Sequence, residues 1–423
     1  MPSLESTNTL ADYRWLTSPA AERYFALAGD AALSELQRSD RLRRELSAER
    51  ARLVLEQVAL RGRARGKFSA AERMFFTPVA LEQATDEQVA RYKARRFVGG
   101  ELALDLCCGI GGDLLALAER RPALGVDRDP IKALLAAANL RACRGDSQSH
   151  GLGSHGAGRF ARLVVCGDAT RLAMPADVAW HIDPDRRAGG ARTSDARHYA
   201  PSLDELGAML AGAPHAAIKL APAAVAPDDW AERGELEWIG RGGECRQQVA
   251  WLGRLAMEPG LRRATVVRGC AGDAHSIVGR ADMPCEMAPV LGRYLHEPDA
   301  AVLAAHLAGA LAANCGLRAI DAGSAYFTSD ELCDQSIGNA GGNALLASFE
   351  IEDVLPLDLR RVRQHLHARG IGRLEIKKRG VEHDPAAVRR QLALKGDGAA
   401  VLFLTRVAGR GLAIVAQRVT ASA

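Results

Sequence analysis

The chain has 423 residues, of which 48% are hydrophobic and 25% are charged, and this is the composition of a folded globular protein. It excludes a chain that is disordered throughout, and nine cysteines in 423 residues are too few for a small disulfide scaffold. Lysine and arginine number 55 against 51 aspartates and glutamates, and a net charge of +4 does not by itself require a nucleic-acid partner.

Signals for membranes, secretion and metal binding are missing from the sequence. The most apolar stretch, 300–313, is shorter than the roughly 20 residues of a membrane-spanning helix and contains His306. No apolar region typical of a signal peptide follows the first basic residue, Arg14. There is no C-x-x-C pair, and the cysteine count is odd, which disfavours structural zinc and a complete disulfide set. These features predict a cytoplasmic protein with reduced thiols, no membrane contact and no metal.

The first predicted region is helical and covers residues 1–95. Leucines recur there at mixed spacings of three, four and more residues, which predicts amphipathic helices with breaks near Gly29 and Gly62. Residues 41–67 carry nine basic and three acidic side chains. This excess is either a solvated helix face or a face that contacts a polyanion, and the sequence leaves both interpretations open.

From residue 101 onward, short apolar strands alternate with helices, which is typical of an α/β fold with a doubly wound parallel sheet. Strands are predicted at 102–106, 124–126, 163–166, 178–182 and 217–220. Helices are predicted at 113–119 and 130–140. Farther on, strands at 235–239 and 264–267 flank a helical run predicted at 247–255. Together these elements predict a Rossmann-like domain over residues 96–285.

The last part of the chain predicts a small, separate α+β domain at 345–423, preceded by a connecting segment at 286–344 that includes a helix at 300–313. Strands are predicted at 350–354, 374–376, 400–404 and 412–416, and helices at 359–369 and 386–394. Between 360 and 410, thirteen lysines and arginines face four acidic residues, a balance of +9. Such segregation of charge is typical of a surface that binds nucleic acid.

The strongest motif is DLCCGIGGD, residues 105–113, between the first strand and the first helix of the predicted sheet. Its glycines permit a tight turn and let a ligand approach the backbone closely. Asp127, at the end of the next strand, is placed to accept hydrogen bonds from both hydroxyls of a ribose. A dinucleotide is disfavoured, because Asp105 and Asp113 repel a pyrophosphate and Leu114 stands where a third glycine is needed. A purely structural turn is the alternative interpretation.

The pattern D-x-x-x-G-x-G at 105–111 resembles motif I of class I S-adenosylmethionine-dependent methyltransferases. The resemblance implies S-adenosylmethionine as the cofactor, and carboxylates suit its positively charged ammonium and sulfonium groups. It also implies that Asp168, after the third strand, contacts the adenine amino group, although each aspartate alone is also a common helix cap. The cofactor-binding residues predicted in this way are Asp105, Cys107, Gly109, Gly111, Asp127, Asp168 and Ala169.

The segment HIDPDRR, residues 181–187, follows the fourth strand and occupies the catalytic position of such enzymes. Asp183 and Pro184 resemble the start of the D/N/S-P-P-aromatic motif with which amino-group methyltransferases of nucleic acids hold an exocyclic amine. Asp185 replaces the second proline and Arg186 replaces the aromatic residue, which leaves the acceptor atom open. We therefore predict Asp183 and Pro184 as catalytic residues, with a simple turn as the alternative role of Asp183.

The resemblance extends over nearly the whole chain. Residues 67–85 resemble the lead-in of bacterial methyltransferases that carry a THUMP-like domain, and residues 376–397 resemble that domain. The core is also similar to the trimethylguanosine synthase group, which methylates a guanine amino group in RNA. In the lead-in, Phe76, Thr77 and Gln83 are candidates to close over the cofactor. Packing in the core is the alternative role of Phe76. The resemblance implies an RNA substrate, with predicted contacts at Arg186, Arg187, Lys377, Lys378 and Arg379.

Taken together, these features predict an S-adenosylmethionine-dependent methyltransferase that acts on a base in RNA, with Asp183 orienting or deprotonating the acceptor. One alternative is a methyltransferase of a protein or small molecule, for which residues 345–423 are dispensable. Another is an RNA-binding protein with a vestigial cofactor pocket, which binds RNA with salt dependence and transfers no methyl group. A cysteine nucleophile is not supported, because Cys107 and Cys108 lie in the cofactor loop.

Overall fold

The computed structural model divides the chain into two compact units. The first unit comprises Met1–Arg233, Val249–Met257 and Cys270–Gly272, and the second comprises Gly234–Gln248, Glu258–Gly269 and Asp273–Ala423. The domain boundaries predicted at 95, 285 and 344 are a separate division of the chain, and they remain predictions. The structure describes residues 9–143, 162–186, 193–269, 273–323, 325–333 and 344–419.

The N-terminal part of the first unit is helical, as predicted. It contains α1 (Leu10–Leu16), α2 (Glu22–Ala28), α3 (Glu35–Arg43), α4 (Ala48–Ala64), α5 (Pro78–Gln83) and α6 (Glu87–Ala94). The break near Gly29 is confirmed, because α2 ends one residue before it. The break near Gly62 is wrong, because this exposed glycine lies inside α4 between the buried Leu60 and Ala64. A glycine costs a helix only about 1 kcal/mol, which the packing of its neighbours outweighs.

The centre of the first unit is a parallel sheet with helices between its strands. In chain order the elements are β1 (Ala103–Leu106), α7 (Gly112–Arg120), β2 (Ala123–Asp127), α8 (Pro130–Ala142), β3 (Arg162–Cys166), β4 (Ala179–Ile182), α9 (Leu203–Gly212), β5 (His215–Leu220) and α10 (Asp228–Arg233). The strands lie in the order β3-β2-β1-β4-β5 and all neighbours are parallel. The predicted doubly wound sheet is confirmed, and the order reverses between β1 and β4, where such sheets bind ligands.

The helix predicted at 247–255 is wrong. After β6 (Glu235–Arg241), the chain forms another strand, β7 (Glu244–Trp251), and only a short 3-10 turn at Gly253–Leu255 follows. Both faces of β7 are covered near its end, since Gln247 and Gln248 are as deeply buried as Val249. A strand buried on both faces lacks the alternation that distinguishes it from a helix in the sequence.

The second unit contains two groups of strands. In the first group, β6 pairs in parallel with β8 (Arg262–Arg268), which pairs antiparallel with β9 (Asp273–Gly279). The rest of the unit consists of β10 (Tyr294–Pro298), α11 (Ala300–Ala304), α12 (Ala308–Cys315), β11 (Arg318–Ala319), β12 (Phe327–Ser329), β13 (Leu346–Pro356), α13 (Leu359–Ala368), β14 (Ile371–Lys378), α14 (Pro385–Leu392), β15 (Gly398–Val407) and β16 (Arg410–Arg418). Strands β10 to β16 form one sheet in the order β11-β12-β10-β13-β16-β15-β14.

Helices α13 and α14 bury their apolar faces against this second sheet, where Val362, Leu366 and Val388 share a core with Leu402. The single helix predicted at 300–313 is instead the pair α11 and α12. The chain breaks between them because His306 adopts a left-handed backbone with φ 59°. Among the described residues, no helix combines the length and the apolar composition needed to cross a bilayer.

Candidate active site

An open pocket lies at the carboxyl ends of β1 and β4. Its walls come from the loop after β1, from residues 183–186 after β4 and from residues 80–85 at the end of α5 and just beyond. The predicted residues that the pocket brings together are Asp105, Cys107, Gly109, Asp183, Pro184 and Arg186. Those outside its lining are Gly111, Asp127, Asp168 and Ala169, and Arg187 lies outside the described residues.

The loop after β1 needs glycine because its backbone is left-handed. Gly109 has φ 56° and Gly111, which precedes the first residue of α7, has φ 90°. At Gly112, a Cβ would lie 3.2 Å from the carbonyl oxygen of Thr85, a close contact that a larger residue could make only if this segment moved by a few tenths of an ångström. The loop therefore exposes backbone to the pocket and sits directly against the segment before α6.

Asp127 holds this loop in place. Its Oδ2 accepts a hydrogen bond from the Gly109 N–H at 2.8 Å, and its Oδ1 accepts one from the Asp129 N–H at 2.9 Å. Burial raises the pKa of Asp127, and these two N–H groups oppose that effect. The carboxylate thus joins the end of β2 to the glycine loop, and its predicted contact with the ribose remains a prediction.

Replacing Asp127 with alanine is expected to weaken the binding of S-adenosylmethionine by about 1–3 kcal/mol, the range for hydrogen bonds to a charged group. Isothermal calorimetry measures this affinity directly. Asp177, an exposed residue before β4, provides the control variant Asp177→Ala, for which we expect the wild-type affinity. Equal affinities for the two variants would mean that Asp127 contributes nothing to cofactor binding.

The predicted catalytic residue Asp183 lies at the rim of the pocket with 26% of its side chain exposed. Its Oδ2 accepts a hydrogen bond of 2.5 Å from Nζ of Lys219, a lysine of β5 that is only 6% exposed. Its backbone N–H donates to the carbonyl of Leu106 on the neighbouring strand. Hydrogen bonds therefore fix both the side chain and the backbone of Asp183, and the buried ammonium of Lys219 lies next to its carboxylate.

The residues after Asp183 are also held in place. Asp185 exchanges two backbone hydrogen bonds with Ala200, forming a short antiparallel bridge. Pro184 is buried, and Arg186 lines the pocket just beyond the bridge. This arrangement keeps Arg186 close to Asp183, as the predicted role in substrate binding requires.

A buried polar chain runs from Asp183 beneath the pocket. Lys219 Nζ donates to Thr85 Oγ1 at 3.1 Å, and Thr85 Oγ1 donates to Oδ2 of Asp113 at 2.6 Å. The other oxygen of Asp113 lies 2.8 Å from Nζ of Lys93 on α6, a lysine that is 2% exposed. Asp113 thus forms a buried ion pair, which the sequence did not predict.

The buried polar chain ends at the glycine loop. Lys93 Nζ lies 3.0 Å from His181 Nε2, and His181 Nδ1 lies 2.7 Å from Oδ1 of Asp105. The Oδ2 atom of Asp105 is buried and has no hydrogen-bond partner among the described residues, although Asp105 lines the pocket. An orphaned carboxylate oxygen in this position fits a ligand that brings a positive or hydrogen-donating group.

Burial opposes the charges of Asp105, Asp113 and Lys93, and their partners compensate to different extents. Burial raises the pKa of Asp105, and the hydrogen bond from His181 works against it. Burial also acts to raise the pKa of Asp113, but the surrounding positive groups, of which Lys93 is the strongest, together outweigh burial and hold that pKa below the usual value. The pKa of Lys93 is lowered by burial, with Asp113 opposing the shift.

The site residues predicted from the sequence do not include four members of the buried polar chain, namely Lys93, Lys219, Thr85 and His181. The available signal is a lysine inside the buried strand at 217–220, because a lysine is almost never fully buried without a partner. Lys93 gives no such signal, because a lysine in an amphipathic helix is usually on the solvent side.

The other residues predicted near the cofactor have structural partners. Burial, with the nearby carboxylates of Asp127 and Asp183, raises the pKa of Cys107 to about 12, in agreement with the expectation that it is not a nucleophile. Asp168 is half-exposed and caps a short turn through Thr170, so its contact with adenine remains a prediction. Phe76 is buried in the N-terminal core.

The lead-in contributes to the pocket through the end of α5, where Gln83 lines the wall, whereas Thr77 caps the beginning of this helix. The ammonium of Lys67 donates to three carbonyl oxygens at this end of α5, at 2.8–3.0 Å, and fixes the segment. In the basic stretch 41–67, Arg61 likewise donates to a backbone carbonyl. Some of this positive charge therefore serves the fold itself.

In the second unit, the predicted RNA contacts lie at the end of β14. Lys377 and Arg379 point to the same side and both approach Glu297, at 2.6 Å and 3.6 Å. Lys378 is exposed. Since Lys377 also lies 3.2 Å from Glu375, two carboxylates neutralise part of the charge of this predicted contact, whose role in binding RNA remains a prediction.

Comparisons with known proteins agree with these features. A family model described as THUMP domain-like matches residues 346–418. Two proteins of Mycobacterium tuberculosis, from strains CDC 1551 and H37Rv, are 32% identical over 382 residues, which is 87% of this chain and 96% of theirs. Both carry the name uncharacterised S-adenosylmethionine-dependent methyltransferase. A crystal structure of a candidate methyltransferase from Porphyromonas gingivalis W83 has the same fold, with a TM-score of 0.72 over 97% of both chains and 18% identity.

Proposed function

Because the chain belongs to the S-adenosylmethionine-dependent methyltransferases that carry a THUMP-like domain, we propose that it methylates a base in RNA in the cytoplasm. The observation that carries this proposal is the Asp183 carboxylate, which Lys219 holds at the rim of the pocket. A carboxylate in this place accepts a hydrogen bond from an amino group of the acceptor and can take up its proton.

The pocket residues fit S-adenosylmethionine, which supplies a methyl group activated by the positive charge on its sulfur. The orphaned Oδ2 of Asp105 offers an acceptor to a cationic group. Gly109 and Gly111 keep side chains away from the approach to the loop. Asp105, the glycine loop and Asp127 would therefore hold the cofactor, and the buried strands around them exclude water from one side.

The residues around Asp183 favour an exocyclic amino group as the acceptor. An exocyclic amino group donates N–H hydrogen bonds to a carboxylate. The amino group of guanine is an example, and enzymes of the trimethylguanosine synthase group methylate it. Arg186 offers a flat guanidinium that stacks on a base or binds a phosphate. Catalysis then combines two contributions: the site brings the acceptor nitrogen and the methyl group into line, and Asp183 orients the acceptor and takes up its proton.

The C-terminal domain, proposed at 345–423, offers a surface for the RNA backbone on α13 and α14. Arg360, Arg361, Arg363, Arg389 and Arg390 are exposed, and none of them has an ion pair among the described residues. Arginines without acidic partners are free to neutralise phosphates, which gives affinity that does not depend on sequence. We therefore assign the main phosphate contacts to these two helices, with Lys378 as a further contact.

Transfer of a labelled methyl group tests the proposed reaction. The protein is incubated with labelled S-adenosylmethionine and total RNA from cells that lack it, and the RNA is then digested to nucleosides for analysis. We expect the label in one modified nucleoside. Label in protein or in small molecules, with none in RNA, would contradict the proposal and support the alternative substrate classes.

The salt dependence of RNA binding tests the proposed surface. The triple variant Arg360→Ala/Arg361→Ala/Arg363→Ala is expected to lower the slope of log affinity against log salt by about 2, since each phosphate contact contributes roughly 0.7–0.9. A control variant removes three exposed arginines that already have acidic partners and lie outside residues 41–67, namely Arg23, Arg233 and Arg246. If both triple variants change the slope equally, the helices hold no special phosphate contacts.

A further inference from the structure

We propose that Lys219 is a positioning residue, which sets the charge around Asp183 and joins the acceptor side of the pocket to the cofactor loop. Its ammonium contacts two groups at once, the carboxylate of Asp183 and the hydroxyl of Thr85. Asp183 faces the pocket, whereas Thr85 passes the contact on to Asp113. The inference rests on the proposed function only in treating Asp183 as the residue that faces the acceptor.

The geometry of the buried polar chain connects the two sides of the pocket. One end is Asp183 after β4, and the other is Asp105 on β1, and both line the pocket. The groups between them come from β5, from the segment before α6, from α6, from α7 and from β4. A shift of any of these elements therefore changes the distance between the two carboxylates that face the ligands.

A purely structural role does not account for this arrangement. Bringing an ammonium into a protein interior costs several kcal/mol, and a well-packed apolar residue serves the fold at least as well as a buried ion pair. Lys219 is 6% exposed and still places its charge on Asp183, a partly exposed carboxylate that lines the pocket. The charge therefore acts on whatever occupies the pocket.

The charges of the buried polar chain make the effect of Lys219 on the pocket measurable. Three carboxylates, those of Asp183, Asp113 and Asp105, face two ammonium groups, those of Lys219 and Lys93. Removal of the ammonium of Lys219 makes the surroundings of the pocket more negative by one charge. S-adenosylmethionine and S-adenosylhomocysteine differ by one methyl group and one positive charge, so the ratio of their affinities reports that change.

The test measures both affinities by calorimetry at one pH and low salt. Lys219→Met keeps the aliphatic stem and is expected to raise the preference for S-adenosylmethionine about fivefold or more, the size of a charge interaction over several ångströms in a partly screened site. Lys219→Arg keeps the charge and should leave the preference within about twofold. Unfolding curves show whether each variant is folded.

Removing the partner charge supplies a second, opposite test, which remains available if Lys219→Met does not fold. Asp183→Asn alone should lower the preference for S-adenosylmethionine, and adding Lys219→Met should restore it, because the double variant keeps the net charge of the wild type. The expected order of preference is Lys219→Met, then wild type and double variant, then Asp183→Asn. The same ratio in all four proteins would overturn the inference.

These outcomes are independent of the acceptor. If the ratio shifts as expected and no RNA is methylated, the assignment of Lys219 stands and the proposed RNA substrate fails. If RNA is methylated and the ratio does not move, the proposed function stands and Lys219 has only a structural role.

Discussion

Asp183→Asn is expected to lower the rate of methyl transfer by about a hundredfold to ten-thousandfold, the usual contribution of a positioned acid or base. The amide keeps the size of the side chain but cannot take up a proton, and it no longer provides a countercharge to Lys219. The protein should still bind S-adenosylmethionine, because the glycine loop and Asp105 are unchanged. Label transfer to RNA measures the rate, and calorimetry measures cofactor binding.

Asp177→Asn is the matched control for this variant. Asp177 is an exposed aspartate just before β4, whereas Asp183 follows the same strand at its other end. The control makes the same chemical change far from the pocket, and we expect it to leave the rate unchanged. An Asp183→Asn protein with the full rate of transfer would remove this carboxylate from the reaction.

The location of the site could be predicted from the sequence because of a property of parallel sheets. The carboxyl ends of their strands meet at one edge, so the loop 105–113 and the segment 181–187 had to lie close together once their strands were assigned. The residue types in these segments then predicted the chemistry. Asp183 and Arg186 do line the same pocket as Asp105 and Gly109.

The groups below the pocket could not be predicted in the same way. Lys93 and His181 are 88 residues apart and meet only because α6 places its lysine beneath the loop. The pattern of a helix indicates which face is apolar, but it does not show which buried carboxylate lies opposite. Asp113 was a prominent residue of the motif, and its ion pair with Lys93 depends entirely on this contact.

The errors in secondary structure have a related cause. For the region 247–255 and the helix at 300–313, periodicity alone does not separate strand from helix or reveal a break. At the end of β14, the two-residue period does place Lys377 and Arg379 on one side. It cannot show that Glu297, 80 residues earlier in the chain, lies there too.

Lys93→Met is expected to lower the free energy of unfolding by about 3–5 kcal/mol, because it leaves the carboxylate of Asp113 buried without its countercharge. Urea unfolding followed by circular dichroism measures this change. Lys395→Met, which removes an exposed lysine, is the control and should change stability by no more than about 0.5 kcal/mol. A Lys93→Met protein as stable as the control would show that the pair adds nothing to the fold.

The effect of pH on the same variant follows from the lowered pKa of Asp113. A carboxyl whose pKa is lower in the folded than in the unfolded state contributes stability above its unfolded value, here 3.8, and loses that contribution as the pH falls toward the folded value. The wild type should therefore lose this part of its stability on acidification below about pH 4. Since Lys93→Met has already lost it, the gap between the two proteins should narrow there. A gap that stays constant down to pH 2 would mean that the destabilisation comes from packing around the methionine and not from the charge of Asp113.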